Sequence, residues 1–166
     1  MKQIQFIFLL IAASIFVTSC SKDEAGNPMN PDDGGGTEIT GEIWNGGNLT
    51  FKKEDGADPG LEANQDRITD NVWITRGTDG GQIFNIKNES SSSKSTSPTD
   101  TEWALGKTTN LANLSFDNFR NTIKPKDIEG KDLVVHLITD DIYIDIKFSS
   151  WSESKEGGFE YTRSTK

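Results

Sequence analysis

The side chains best suited to chemistry in this chain are a single histidine, a single cysteine and several clusters of carboxylates. If the chain is a hydrolase, we expect His136, Asp140 and Asp145 to converge on a cleft beside a nucleophile. The chain has no Gly-x-Ser-x-Gly motif that would supply a nucleophilic serine. His136 also alternates with Val134 and Ile138, which is the usual setting of a structural histidine. These patterns favour a protein that is not an enzyme, with a hydrolase as the alternative.

Aromatic and acidic side chains that could bind a ligand occur in two places. Asp100, Glu102 and Trp103 lie together after a proline-containing loop, and alternation places Tyr143 and Trp151 opposite a run of isoleucines. Modules that bind glycans present flat aromatic rings beside polar side chains, so these five residues are candidates for a glycan site. The alternative is that the tryptophans belong to the core of a small domain without disulfides.

The sequence offers little for a metal ion. Zinc prefers several Cys or His ligands, and only one such residue remains once Cys20 is set aside. Calcium takes carboxylate and carbonyl oxygens, and Asp55, Asp58 and Asp66 in one loop are weak candidates for its ligands. Their spacing does not match an EF-hand loop, and Asp side chains in loops also cap their own turns. We therefore expect no cofactor, with calcium as the alternative.

Cys20 ends a segment that is typical of a bacterial export signal. Lys2 precedes an almost unbroken apolar run from Ile4 to Val17, which is too short to span a bilayer comfortably. The string VTSC at 17–20 resembles the lipobox of bacterial lipoproteins. That resemblance implies cleavage before Cys20, a diacylglyceryl group on its thiol and acylation of its new amino group. Acylated Cys20 would hold the protein at the lipid bilayer without a transmembrane helix.

The residues after Cys20 predict a flexible tether and a location of the protein in the cell envelope. Residues 20–38 are rich in Gly, Asn, Pro and Asp, and cannot bury enough apolar surface to offset their ordering entropy. The string SKDE at 21–24 looks like the acidic tag that directs one class of lipoproteins outward. We expect a lipoprotein of the Gram-negative outer membrane that faces the medium, with a periplasmic orientation as the alternative.

The charge balance restricts the partners. The chain has 26 acidic and 17 basic residues and a net charge of −9, and no basic stripe is visible. An acidic surface repels phosphate backbones, so nucleic acid is disfavoured as a partner. Without a free thiol, residues 39–166 must be stabilised by their core, and their length suits one domain.

Apolar residues in this part recur with a period of two, which predicts strands. The clearest strand is 142–148, and a strand at 133–138 precedes it across a short turn. A second hairpin is predicted from 72–76 and 82–87 across glycine-rich residues 77–81.

Other segments complete the prediction of an all-β fold. Further strands are expected at 38–44, 48–52, 114–116 and 158–164, and one helical turn at 117–122. Residues 89–99 are rich in serine and are interpreted as a loop. Seven to nine short strands with glycine turns and at most one short helix indicate an antiparallel β-sandwich or jelly roll.

Several strings also resemble an uncharacterised β-domain of secreted bacterial proteins. They are DGADP at 55–59, NQDRIT at 64–69, VWITRG at 72–77, SPTDTEWA at 97–104, HLITDDIYIDI at 136–146 and GGFxYxRST at 157–165. The resemblance implies one extracytoplasmic domain and carries no catalytic residue over to this chain. We predict a signal peptide at 1–19, a lipidated tether at 20–38 and a single β-sandwich domain at 39–166. The predicted function is that of a non-catalytic binding or structural module, with extracellular glycan as the ligand to test, an interaction subunit of an envelope complex as the alternative, and a hydrolase as the less favoured one.

Overall fold

The computed structural model describes residues 39–166. The predicted signal peptide, the lipidation site Cys20 and the tether lie outside the described residues. Within residues 39–166 the fold is all-β, as predicted, with nine strands, one short α-helix and a few short 3-10 helices. No helix in this part of the chain is long and apolar enough to cross a membrane.

The strands form two sheets. The strands are β1 (Glu42–Trp44), β2 (Asn48–Lys53), β3 (Asp66–Arg67), β4 (Trp73–Gly77), β5 (Gly80–Asn85), β6 (Thr101–Leu105), β7 (Asp132–Leu137), β8 (Ile142–Trp151) and β9 (Phe159–Ser164). The larger sheet has the order β2-β9-β8-β7-β6, and β1 pairs in parallel with the start of β8. The smaller sheet has the order β3-β4-β5. Helix α1 (Phe119–Thr122) and a 3-10 helix at Pro125–Asp127 lie between β6 and β7.

The two predicted hairpins are present. β7 and β8 pair antiparallel across a turn in which Asp141 has a φ of 50°. β4 and β5 pair antiparallel across a tight turn, and Gly80 and Gly81 both have the positive φ that the glycine-rich sequence predicts.

Alternation in β8 places one face of the larger sheet in the core. Ile142, Ile144, Ile146 and Phe148 are buried, whereas the residues between them are half-buried or exposed. The same face carries further residues of the core cluster, which also includes residues of the smaller sheet; those of β7 and β9 are Leu133, Val135, Leu137, Phe159 and Tyr161. Since each buried aliphatic or aromatic side chain contributes about 1.5–3 kcal/mol, this cluster is the main source of stability.

A β-bulge in β8 corrects the predicted position of Trp151. The pairing of β8 with β9 shifts register between Phe148 and Ser150, so both Ser149 and Ser150 are exposed. The extra residue returns Trp151 to the core face, whereas simple alternation had placed it on the same face as Tyr143.

Two other local predictions are corrected. The strand expected at 114–116 is absent, and the only pairing near it is an isolated bridge between Asp117 and Trp103. Conversely, strand β6 was not predicted, because its residues had been considered only as a ligand site.

Candidate functional site

The most distinctive concave surface of the described chain lies beside Trp151. This pocket has a volume of about 360 Å³. We call it the Trp151 pocket; its lining residues are Gly81, Gln82, Lys94, Arg120, Lys124, Pro125, Lys126, Trp151 and Glu153. They come from the start of β5, the serine-rich loop, α1 and the segment after it, and the end of β8. The volume falls within the range of small-molecule binding sites, about 300–1,000 Å³.

The wall of the Trp151 pocket is fixed by Arg76 of β4. Its guanidinium carbon lies 3.9 Å from the centre of the Trp151 ring. Arg76 Nε donates to the carbonyl oxygen of Gly81 at 2.9 Å, and Nη1 donates to that of Gly158 at 2.7 Å. Burial lowers the pKa of Arg76 to about 10, and the negative charge of Asp55 partly opposes this shift. Arg76 thus ties β5, β8 and the loop before β9 together around the indole ring.

Trp151 is held rigidly and exposes little surface. Its ring packs against Phe119, Phe148 and Phe159 at centroid distances of 6.1, 5.8 and 6.3 Å. The backbone N–H of Trp151 donates to Glu129 Oε1 at 2.8 Å. The ring is 8% exposed, and this fraction borders the pocket, so a ligand would meet a fixed aromatic edge.

Gln82 lines the pocket, but the polar atoms of its side chain are buried beneath the pocket surface. Its residue is 3% exposed, and neither Oε1 nor Nε2 of its side chain has a hydrogen-bond partner among residues 39–166. Its backbone N–H donates to Ser92 Oγ at 3.0 Å. Leaving a buried polar group without a partner costs about 1–3 kcal/mol, so such a group in a native protein calls for an explanation, and a bound ligand is one that can be tested.

Two of the predicted ligand-binding residues, Glu102 and Tyr143, lie together elsewhere, on the outer face of the larger sheet. Glu102 Oε1 lies 2.7 Å from His136 Nδ1, and His136 Nε2 lies 3.0 Å from Asp141 Oδ1. The Tyr143 ring stacks on His136 with centroids 4.1 Å apart and an interplanar angle of 5°. Burial, and then the charges of Asp141 and Glu102, raise the pKa of Tyr143. Phe116 packs edge-on against both rings, whereas the side chains of Glu102 and Asp141 are 39% and 47% exposed.

The remaining predicted residues are not brought to a shared surface. Trp103 is 1% exposed, packs its ring on Phe119 at 4.9 Å and donates from Nε1 to Thr101 Oγ1 at 3.0 Å. This corrects the expectation that the Trp103 ring can contact a ligand. Asp100 caps the neighbouring turn, since its Oδ1 accepts hydrogen bonds from the backbone N–H and the hydroxyl of Thr139.

The arrangement expected for a hydrolase is not formed by the named residues. Asp140 accepts hydrogen bonds from Thr69 Oγ1 and Asn71 Nδ2. Asp145 accepts from the backbone N–H and the hydroxyl of Thr108, on the outer face of the sheet. Neither carboxylate bonds to His136, whose two ring nitrogens are taken by Glu102 and Asp141.

The weak calcium candidates are likewise used for structure. Asp66 accepts from Arg163 Nε at 2.7 Å, from Arg163 Nη2 at 2.9 Å and from the Tyr161 hydroxyl at 2.6 Å. Asp55 accepts from the backbone N–H of Gly158, and Asp58 accepts from that of Gly60. Residues 39–166 hold no group of three or more metal-ligating side chains placed to bind one ion. Asp55, Asp58 and Asp66 therefore serve separate contacts and do not lie together as one set of ligands.

The functional side chains that sequence reasoning missed are Arg76 and Gln82. Both flank the glycine-rich turn of a predicted hairpin, and alternation does not show that a polar side chain on such a strand is buried. The cations of the pocket come from three separate segments, so no run of basic residues in the sequence predicts that they lie together.

Comparison of the chain with protein-family models, with curated proteins and with solved structures found no match. The resemblances to lipoprotein signals and to a secreted β-domain therefore stay predictions.

Proposed function

We propose that this protein is a lipid-anchored extracytoplasmic binding module whose Trp151 pocket takes a glycan. The observation that carries the proposal is the buried Gln82 amide, which lacks a partner beside a rigid aromatic edge. The amide offers one acceptor oxygen and two donor hydrogens, and a sugar hydroxyl can both accept and donate. An indole edge supplies apolar contact for the C–H groups of a sugar ring.

The rigidity of the pocket supports the same function. Trp151 is packed against three phenylalanine rings and fixed by Arg76, so little order has to be gained when a ligand binds. A preformed site loses less conformational entropy on binding than a flexible one. The cluster at His136 offers fewer free groups to a ligand, because both ring nitrogens are already bonded and Phe116 packs against the ring.

The glycan part of the proposal is tested by affinity electrophoresis of the full-length protein, purified in mild detergent, through gels that contain single polysaccharides. We expect retardation by at least one polysaccharide. Trp151→Phe should weaken that retardation about fivefold, because about 1 kcal/mol of contact is lost with the larger ring. Trp73→Phe is the matched control, since Trp73 lies outside the pocket, and it should behave like the parent. Equal retardation of all three proteins, or none by any polysaccharide, would contradict the proposal.

The anchor is tested by protease shaving of intact cells that produce the parent or Cys20→Ser. We expect the parent to stay with the membrane fraction and to be lost on shaving. The Cys20→Ser form should be released or remain unprocessed. A Cys20→Ser protein that fractionates like the parent would contradict lipid anchoring through this residue.

A further inference from the structure

The Trp151 pocket is surrounded by positive charge. Lys94 reaches it from the serine-rich loop, Arg120 from α1, and Lys124 and Lys126 from the segment that follows α1. Within residues 39–166 none of these four cations forms an ion pair with a carboxylate. Glu153 is the single acidic residue in the lining.

Several cations on other surfaces have carboxylate partners: Lys52 pairs with Glu54 at 2.7 Å, and Lys107 and Lys147 both approach Asp132. Other exposed lysines of residues 39–166, such as Lys131 and Lys155, form no ion pair, so what distinguishes the pocket is that four cations surround one concavity. The chain as a whole has a net charge of −9, so this clustering of positive charge is a local exception. A concave surface with charge of one sign concentrates the field and raises the local concentration of ions of opposite sign.

We propose, on the basis of the proposed glycan-binding function, that the pocket takes an anionic sugar unit of an extracellular polysaccharide. The charged group is a carboxylate or a sulfate. The guanidinium of Arg120 presents a planar fork that matches a carboxylate, and the lysines act as point charges for either anion. The amide of Gln82 and the edge of Trp151 then contact the sugar ring.

The shape of the site favours a sugar over a membrane surface. Gln82 and Trp151 are 3% and 8% exposed, so only a group that enters between the cations meets the Trp151 edge. Gln82 Oε1 and Nε2 are both buried, so contact with the amide requires its side chain to turn toward that group. A sheet of anionic headgroups would contact the protruding lysines alone and would leave the amide without a partner. Attraction to such a surface therefore depends on the lysines and not on Gln82.

The test compares polysaccharides that share a backbone and differ in charge. The full-length protein in mild detergent is run against polygalacturonate and its fully methyl-esterified form, and against dextran sulfate and dextran. We expect the charged member of at least one pair to bind about tenfold more tightly than its neutral counterpart. Raising the salt from about 0.1 M to about 1 M shortens the screening length from about 10 Å to about 3 Å and should remove most of the preference. A preference within the polygalacturonate pair identifies the charged group as a carboxylate, and a preference within the dextran pair identifies it as a sulfate.

Substitutions of the cations show whether the preference for charged polysaccharide arises at the pocket. Arg120→Gln combined with Lys124→Gln should weaken binding of the charged polysaccharide about tenfold. The matched control is Lys107→Gln combined with Lys147→Gln, which removes the same charge from residues outside the pocket and should bind like the parent.

Each other outcome overturns a defined part of the account. Equal binding of charged and neutral polysaccharides, lost in Trp151→Phe, overturns the anionic class and leaves glycan binding in place. No binding to any of the four overturns the anionic class and contradicts the proposed function as well. Binding only to vesicles of anionic phospholipid, unchanged by Gln82→Leu, would replace the sugar with a membrane surface.

Discussion

Arg163 and Arg76 are both buried in the same small domain, yet Arg163 faces a carboxylate and Arg76 faces an aromatic ring. Arg163 and the Tyr161 hydroxyl together fill the oxygens of Asp66. Arg76 rests on Trp151 and donates to two backbone carbonyls, and the neighbouring Gln82 amide has no partner within residues 39–166. We refer to these as the Asp66 network and the Trp151 pocket.

The difference separates a structural site from the site that we propose binds a ligand. In the Asp66 network the charges and hydrogen bonds are satisfied inside the protein, so nothing remains for a ligand. In the Trp151 pocket the cations are unpaired and an amide is unsatisfied, so the free protein is less stable there than it could be. Natural proteins commonly lose some stability where they bind ligands.

Breaking the Asp66 network should give the largest effect. Asp66→Ala leaves the Arg163 guanidinium buried without a counter-ion, which should lower the free energy of unfolding by about 3–5 kcal/mol. Urea denaturation followed by circular dichroism measures this change. The matched control is the exposed neighbour pair, Arg67 with Glu62 at 3.1 Å, where Glu62→Gln should leave the midpoint unchanged. Equal midpoints for Asp66→Ala and Glu62→Gln would refute the structural role of the network.

Removing one hydroxyl from the same network should have a smaller effect that depends on pH. Tyr161→Phe loses a hydrogen bond to a charged group, which costs about 1.5–3 kcal/mol at neutral pH. Burial, and then the charge of Asp66, raise the pKa of Tyr161 well above the usual value of 10.0. The folded protein therefore keeps this proton while the unfolded chain loses it, so the parent loses stability as the pH rises above 10.0.

Tyr161→Phe should show less of that alkaline loss. The urea midpoints of the parent and of Tyr161→Phe, measured at neutral pH and above pH 10, should lie closer together at the higher pH. Parallel curves over this range would mean that Tyr161 ionises in the fold as readily as in the unfolded chain. Tyr143→Phe is a useful comparison, since burial also raises the pKa of Tyr143, which is less deeply buried.

The smallest effect is expected at Lys53, a buried cation near Arg76. Lys53 is 1% exposed, and its Nζ donates only to the carbonyl oxygen of Gly157 at 3.3 Å. Burial, and then the charge of Arg76, lower the pKa of Lys53 below its usual 10.5. The unfolded chain thus binds this proton more tightly, so stability contributed by Lys53 rises as the pH increases toward 10.5.

Lys53→Met should be slightly more stable than the parent at neutral pH, and the difference should shrink as the pH approaches 10.5. Differential scanning calorimetry at neutral and mildly alkaline pH measures both effects. A variant less stable than the parent at neutral pH would show that the charge of Lys53 is stabilising where it lies.

Much of the fold could be predicted because alternation is a strong signal where a sheet covers one core. It predicted β7, β8 and the β4–β5 hairpin from their apolar residues. It was wrong for 114–116, where Phe116 packs on His136 and Tyr143 from a loop and not from a strand. Alternation was also misleading at Trp151, because a bulge depends on pairing with β9 and leaves no mark in β8 alone.

Less of the candidate site could be predicted. Trp151 was named as a ligand-binding residue, but from a strand face that it does not occupy. Gln82 and Arg76 were missed because the burial of a polar side chain depends on what packs over it from distant segments. Arg120 and Lys94 belong to different elements, and only the tertiary fold brings their charges to one pocket.

The most direct test of the account is the stability of Gln82→Leu, compared with the parent, with and without the polysaccharide that the parent binds. Without ligand, we expect the free energy of unfolding of Gln82→Leu to exceed that of the parent by about 1 kcal/mol, since an unsatisfied buried amide is removed. We also expect the polysaccharide to raise the melting temperature of the parent more than that of the variant. A variant that is less stable than the parent and gains as much from the polysaccharide would contradict the claim that this amide is kept for a ligand.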